Sequence, residues 1–559
     1  MDNGSLNFLW SQALVGGFAA AGVHHAVISP GSRSTPLALA LLRTPQIASH
    51  VVVDERSAAF FALGIAKASG RPALLLATSG SAPANWLPAV IEASRAAVPL
   101  ILLSADRPPE LQGCGANQTV DQIHLFGAHV RASHALGTPE PGFDPAYLYR
   151  LAARVGEQAS WPLPGPVHVN LPFREPLLPA GDPAPAPKLP PIRLERSRCL
   201  PADAAMAALA ESLAGRRGII VCGEADYPAG FAAGVAALAA NLDCPILAEP
   251  LSNLRFGGHD RSRILCRYDG WLRNGEIAAG LRPDWVLRFG AFPVPRSLQG
   301  FSQAGERIVL VDPLPQWNDP AHAVTDVVRA DPLAVCEALC RQPLQAAPPD
   351  WMAAFRQAEA AAAAALPATG PGFEGTLIPA LLATLPAGCQ VFVGNSMLIR
   401  DLDTFGGGGE RPLRFHGNRG VSGIDGNVST ALGIAAARGR VVALLGDLTC
   451  QHDLGGLAAA RGLDAVLVVF NNGGGGIFGY LPQAGLPEFE QGWLTPQAVD
   501  FSAAAAAFGL GYARVADVPG LAGALGAALE TGGPHVLEVT VDRDSSLTQH
   551  RAYWQSCGR

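Results

Sequence analysis

Two apolar runs in the last quarter of the chain end in oxygen donors. Val441-Val442-Ala443-Leu444-Leu445 leads into Gly446-Asp447-Leu448. After a helix-sized gap, Val466-Leu467-Val468-Val469-Phe470 leads into Asn471-Asn472-Gly473-Gly474. Each run reads as a buried strand, because unbroken hydrophobicity suits a parallel sheet covered on both faces. The carboxyl ends of such strands form the binding crevice of an open α/β sheet, so a carboxylate and an amide oxygen are expected to face one ligand. Hard oxygens beside a glycine turn and a helix N-terminus suit Mg²⁺ carrying a phosphorylated molecule. Either half alone reads equally well as an ordinary turn; the pairing is what points to a metal.

A second group of candidates lies near the N-terminus. Ser29-Pro30-Gly31-Ser32-Arg33-Ser34-Thr35-Pro36 follows a short predicted strand and opens a helix, presenting amides, hydroxyls and the Arg33 guanidinium to an anion. Val51-Val52-Val53-Asp54-Glu55-Arg56 places Glu55 at the end of what reads as a buried strand, where a carboxylate is costly without a partner. A helix N-terminal acid is the ordinary alternative. Two further strands run into Thr78-Ser79-Gly80-Ser81 and into Ala105-Asp106-Arg107-Pro108-Pro109, and Gly113 to Gln118 forms a loop with free amides.

The elements that must position these residues repeat one pattern, strand, polar turn, helix, which predicts an α/β protein with doubly wound parallel sheets. A chain of 559 residues exceeds one core. Glu175 to Leu194 is dense in Pro and Ala and reads as a stiff linker. A second break falls around Gln345 to Asp350. Three domains are expected, at residues 1–178, 195–345 and 365–559. The middle one alternates strands and helices without a Gly-x-Gly-x-x-Gly fingerprint, and its Arg255 and Arg296 are expected within reach of a neighbouring site. Ten cysteines without a Cys-x-x-Cys pair argue against a zinc ribbon or a disulfide framework, and Cys336 and Cys340 read as buried thiols. A net charge of −7 removes nucleic acid and anionic membrane as default partners. With no bilayer-length apolar run and no basic-then-apolar N-terminus, a cytoplasmic protein is expected.

The Gly446-Asp447 and Asn471-Asn472 pair resembles the signature of the thiamine diphosphate enzyme superfamily. Within it, the chain resembles the MenD family through Ser29 to Pro36, Asp54-Glu55-Arg56, Ala105 to Leu111, Cys114 to Gln118 and Asn418-Arg419-Gly420-x-Ser422-Gly423-Ile424-Asp425-Gly426, in the same order. The middle domain matches mainly through Pro250 to Phe256. The resemblance implies a thiamine diphosphate-binding fold in the first and last domains. It implies a synthase that decarboxylates 2-oxoglutarate on thiamine diphosphate and adds the succinyl carbanion equivalent to isochorismate, with Mg²⁺ or Mn²⁺. By resemblance, Asp447, Asn472 and the Gly474 carbonyl match the metal ligands. Glu55 matches the glutamate that hydrogen-bonds the aminopyrimidine, and Ile424 the apolar residue beneath the bent cofactor. Gly446, Leu448, Ser396 and Ile477 match further cofactor contacts. Ser32, Arg33, Arg107, Asn117, Gln118, Ser396, Arg400 and Arg419 match positions that bind substrate carboxylates and hydroxyls, and Ile477, Phe478 and Leu481 match an apolar wall. The family also implies a homodimer as the minimum active unit, with tetramers usual.

The chain departs from the family in three places. It has two Asn before the glycines where three are common, so Asn471 with Gly473 remains an alternative ligand pair; the spacing to Ile477-Phe478 favours Asn472 with Gly474. Pro295-Arg296-Ser297 stands where some members carry a Lys-Arg pair, which makes Arg296 a substrate-binding candidate. The Gly406 to Gly409 run has no counterpart. Competing readings are another thiamine diphosphate-dependent decarboxylase or carboligase, a silent protein that keeps the fold, and a nicotinamide oxidoreductase, the last weakened by the missing fingerprint.

Overall fold

The computed structural model describes residues 2–181, 189–367 and 372–557, so the middle of the predicted linker lies outside the described residues. Three six-stranded sheets follow one another along the chain, and every strand pair in them is parallel. The first holds β1 (His25–Ile28), β2 (Ala48–Val51), β3 (Ala73–Ala77), β4 (Leu100–Asp106), β5 (Ala132–Ala135) and β6 (Pro166–Pro172), ordered β2-β1-β3-β4-β6-β5. The second holds β7 (Gly218–Cys222), β8 (Ile246–Ala248), β9 (Ile264–Leu265), β10 (Trp285–Phe289), β11 (Arg307–Val311) and β12 (Asp326–Val328), ordered β12-β11-β10-β7-β8-β9. The third holds β13 (Gln390–Val393), β14 (Arg414–His416), β15 (Val441–Gly446), β16 (Ala465–Asn471), β17 (Gly511–Val515) and β18 (Pro534–Thr540), ordered β14-β13-β15-β16-β18-β17.

The first and third sheets therefore share one topology, with the order reversing between their first and third strands. Ligands bind at such a switch point, which selects the turns after β1, β3, β13 and β15. The middle sheet has the strand order of dinucleotide-binding folds yet lacks their glycine fingerprint.

The outer domains are locked together by two glycines. Helix Glu55–Ser69 packs on helix Asn427–Arg438, and a Cβ on Gly64 would stand 2.0 Å from Thr430 O, one on Gly433 2.0 Å from Phe61 O. Around this contact one continuous core runs from Phe60, Phe61 and Leu63 to Val428, Leu432 and Leu445. All ten cysteines are free, with Cys336 buried and Cys340 half-buried. Among the described residues no helix is long and apolar enough to cross a membrane.

Two expectations are corrected. The Val51 to Val53 run is not a buried strand: β2 is the sheet edge and pairs with β1 alone, leaving Val51 59% and Val53 78% exposed. Arg255 does not reach a ligand site. It is buried in an ion pair with Asp403, donates to Asp403 O at 2.8 Å and Ala248 O at 2.6 Å, and so fastens the middle domain to helix Met397–Phe405. Beside it the Gly406 to Gly409 run presses on middle-domain backbone: Gly409 N donates to Arg255 O at 3.0 Å, and a Cβ on Gly408 would lie 2.6 Å from that oxygen.

Candidate active site

The carboxyl ends of β15 and β16, paired through Gly446 and Phe470, deliver the predicted oxygen donors side by side. Asp447 is 7% exposed; it accepts from Leu448 N at 2.9 Å and from Gly474 N at 2.7 Å. Burial pushes its carboxyl up to about 6 despite those backbone hydrogen bonds, a state that a nearby cation would reverse. The two asparagines differ. Asn471 is fully used: its Nδ2 donates to Glu538 Oε1 at 2.8 Å and its Oδ1 accepts from Gly473 N at 3.1 Å. Asn472 Oδ1 is buried with no hydrogen-bond partner. A desolvated carboxylate beside an orphaned amide oxygen fits a hard cation, and the fit favours Asn472 over Asn471. Gly474 has φ +139°, and a Cβ there would meet Leu494 O at 2.3 Å, so no other residue fits this turn.

The switch point supplies the next layer. After β13, Ser396 adopts φ +70° and starts helix Met397–Phe405, which carries Arg400. Asn395 is 3% exposed and staples the Asn418 to Gly423 loop. Its Nδ2 donates to Asn418 O at 2.8 Å and Gly423 O at 2.7 Å, and its Oδ1 accepts from Arg419 Nη1 at 2.7 Å. Arg400 donates to Ser396 O at 2.5 Å; burial, and then the positive charges of Arg419 and Arg296, pull its guanidinium below the ordinary value. The charges of Arg419 and of the middle domain's Arg296 are thus felt at Arg400. Ile424, Leu448, Ile477, Phe478 and Leu481 are half-buried near these strand ends. A cavity of about 300 Å³ opens beside them, lined by Met397, Asn472, Gly476, Tyr480, Arg543 and Arg551 among others.

A separate group forms on the first domain. Arg33 is 3% exposed; it donates to Phe173 O at 2.9 Å and pairs with Glu175 at 2.8 Å, while Arg107 Nη1 lies 3.9 Å from the same carboxylate oxygen. Nε of each arginine is buried without a partner. Gln118, at φ +55°, donates to Ser79 O at 3.0 Å, which fixes it against the turn after β3. Ser32 and Asn117 are exposed beside it. Glu55 opens helix Glu55–Ser69 behind the Asp54 cap; its carboxylate is half-buried and unpaired, next to the exposed Val51 and Val53.

Sequence reasoning passed over Asn395, Glu538 and the C-terminal helix Arg543–Ser556. Asn395 was legible, as a polar residue between Gly394 and Ser396 at a strand end. Glu538, an acid inside the apolar run of β18, signalled a partner that only the fold reveals: Arg514 at 2.7 Å, with Tyr512 and Asn471. Arg543 and Arg551 carried no local signal.

Two known domain families match the sequence, one towards each end. Residues 10–125 match the thiamine pyrophosphate enzyme N-terminal TPP binding domain, and residues 408–539 the corresponding C-terminal TPP binding domain. The chain is a thiamine pyrophosphate enzyme by these two domains. A 2-succinyl-5-enolpyruvyl-6-hydroxy-3-cyclohexene-1-carboxylate synthase of Dechloromonas aromatica is 56% identical over 96% of this chain and 99% of that protein. Synthases of the same name from Geobacillus kaustophilus (44% identical, 99% of this chain, 98% of that protein) and Halobacterium salinarum (41%, 97% and 96%) also align. The chain belongs to this synthase family.

Proposed function

We propose that the protein is a 2-succinyl-5-enolpyruvyl-6-hydroxy-3-cyclohexene-1-carboxylate synthase of menaquinone biosynthesis, a thiamine diphosphate-dependent transferase acting in the cytoplasm through domains at residues 1–178, 195–345 and 365–559. It decarboxylates 2-oxoglutarate and adds the remaining four-carbon unit to isochorismate, releasing CO₂. The observation that carries this reading is the full-length identity with such synthases, over a chain whose desolvated Asp447 and orphaned Asn472 oxygen fit a cation.

Bound thiamine diphosphate supplies the carbon nucleophile and the electron sink. The chain's residues do the rest. Asp447, Asn472 and the Gly474 carbonyl would hold Mg²⁺ or Mn²⁺, and Gly446, Leu448, Ser396 and Ile477 would line the cofactor's seat. Glu55, a half-buried carboxylate with no partner among the described residues of its own chain, would hydrogen-bond the cofactor's aminopyrimidine ring. Ile424 would give the cofactor an apolar support. Arg33, Arg107, Arg296, Arg400 and Arg419, with Ser32, Asn117 and Gln118, bind the carboxylates and hydroxyls of two acidic substrates. Each charge-assisted contact contributes about 1.5–3 kcal/mol, enough to hold dianions on an acidic protein. Ile477, Phe478 and Leu481 exclude water from the reacting carbon.

Glu55, Arg33 and Arg107 lie on the first domain and Asp447, Arg400 and Arg419 on the last. The exposed Val51 and Val53 beside the unpaired Glu55 support a second copy of the chain completing the site, so a homodimer is the minimum active unit and a dimer of dimers its natural extension. The test is CO₂ release from 2-oxoglutarate with and without thiamine diphosphate, Mg²⁺ and isochorismate, against pyruvate. Cofactor-dependent turnover of 2-oxoglutarate with product formation from isochorismate is expected. Preference for pyruvate, or no cofactor dependence, refutes the assignment.

A further inference from the structure

Arg419 and Ile424 sit on a loop, residues 417–426, that belongs to the last domain but is gripped by the first. Both carboxylate oxygens of Glu92, in helix Leu87–Arg95, accept backbone N–H groups from it: Gly420 N to Oε1 at 2.9 Å and Val421 N to Oε2 at 2.7 Å. On the other side of Arg419, Lys67 of helix Glu55–Ser69 donates to Gly417 O at 2.5 Å. The same ammonium lies 3.7 Å from Glu92 and 3.9 Å from Glu224 of the middle domain. Glu92 is 2% exposed, and Lys67 has a side chain 7% exposed. The contact is tight, since a Cβ on Gly420 would stand 2.5 Å from Glu92 O.

Buried charges are expensive and a buried ion pair is weak evidence for stability as such, so their geometry needs another account. The two grips bracket Arg419. Gly417 is held through its carbonyl and Gly420 through its amide, which fixes the peptides on either side of the Asn418-Arg419 pair. Asn395 then takes one guanidinium nitrogen at 2.7 Å, while Nε is left buried and unpartnered.

We propose that Glu92 and Lys67 are positioning residues for the reaction: they hold Arg419 at its carboxylate-binding station from outside the domain that carries it. This rests on the reading of Arg419 as a substrate-binding residue. A misplacement of about 1 Å in such a group can cost on the order of a hundredfold in rate.

Glu92→Gln turns an acceptor into an NH₂ facing a backbone N–H. Hydrogen exchange in the 417–426 loop is expected to rise at least tenfold, thiamine diphosphate affinity to change less than twofold, and kcat/KM for 2-oxoglutarate to fall tenfold or more through KM. In an Arg419→Lys background the same substitution is expected to cost less than threefold, because the positioned group is already altered. Unchanged exchange, or equal losses in both backgrounds, overturns the proposal. Glu92→Asp and Lys67→Met, run through the same cycle, decide the question if Glu92→Gln does not fold. Full activity of Arg419→Ala would instead overturn the substrate-binding reading, while the exchange measurement still judges the grip.

Discussion

Replacing the two adjacent asparagines separately should separate fold stability from ligand stabilisation. Asn471 bridges β16 to Glu538 on β18 with a 2.8 Å hydrogen bond to a carboxylate and also accepts from Gly473 N. Asn471→Ala therefore removes a hydrogen bond to a charged group, worth about 1.5–3 kcal/mol, and a neutral one worth about 1 kcal/mol. The apoprotein should lose on the order of 2–4 kcal/mol. Asn472 Oδ1 has no partner and is buried, so Asn472→Ala removes an unsatisfied acceptor that itself costs about 1–3 kcal/mol. The apoprotein should be unchanged or slightly more stable. Cofactor with Mg²⁺ at a hundred times its Kd stabilises the folded state by about 2.7 kcal/mol, and a hundredfold weaker site forfeits nearly all of it. Thermal unfolding with and without thiamine diphosphate and Mg²⁺ measures both quantities. The expected pattern is a low apo Tm with an intact ligand shift for Asn471→Ala, and a normal apo Tm with little shift for Asn472→Ala. The reverse pattern would refute the ligand assignment and the reading of the orphaned oxygen.

Arg419→Ala should lose most turnover while thiamine diphosphate still binds, as read by CO₂ release and cofactor titration. Gly433→Ala drives a Cβ to 2.0 Å from Phe61 O and should destabilise the contact between the outer domains by more than about 3 kcal/mol, seen in urea unfolding. The contribution of two buried histidines to stability should fall below neutral pH, against buried carboxyls such as Asp447 and Asp453 whose raised values act the other way. Burial holds His168 down at about 4 and His416 at about 3, so both are buried neutral. A folded value below the unfolded 6.5 means their contribution is complete above pH 6.5 and is lost as pH falls toward 4. At pH 5 the loss should be about 2 kcal/mol for each, and His416→Gln should remove its share of the urea-midpoint shift between pH 7 and pH 5.

Some of the site needed nothing beyond the sequence. Continuous apolar runs ending in Gly-Asp and Asn-Asn predict buried parallel strands with donors at their carboxyl ends, because period and burial are local properties. The Ser29 to Pro36 turn with Arg33 was legible for the same reason. The Val51 to Val53 run misled because three β-branched residues look alike on an edge strand and a central one; the exposure of Val51 and Val53 depends on the strand's place in the sheet. Arg255 misled too, since a lone Arg in sequence carries no sign that an acid 148 residues away will neutralise it.

The sequence by itself determined the strand–turn–helix pattern, the donor types and the family, since each is encoded within runs of a few residues. Only the tertiary structure decided which asparagine is spare, which arginine is neutralised by a distant acid, and that a first-domain glutamate holds a last-domain loop. Those choices are pairings between residues far apart in the chain, made by the shared topology of two sheets and the close approach of two glycine-bearing helices.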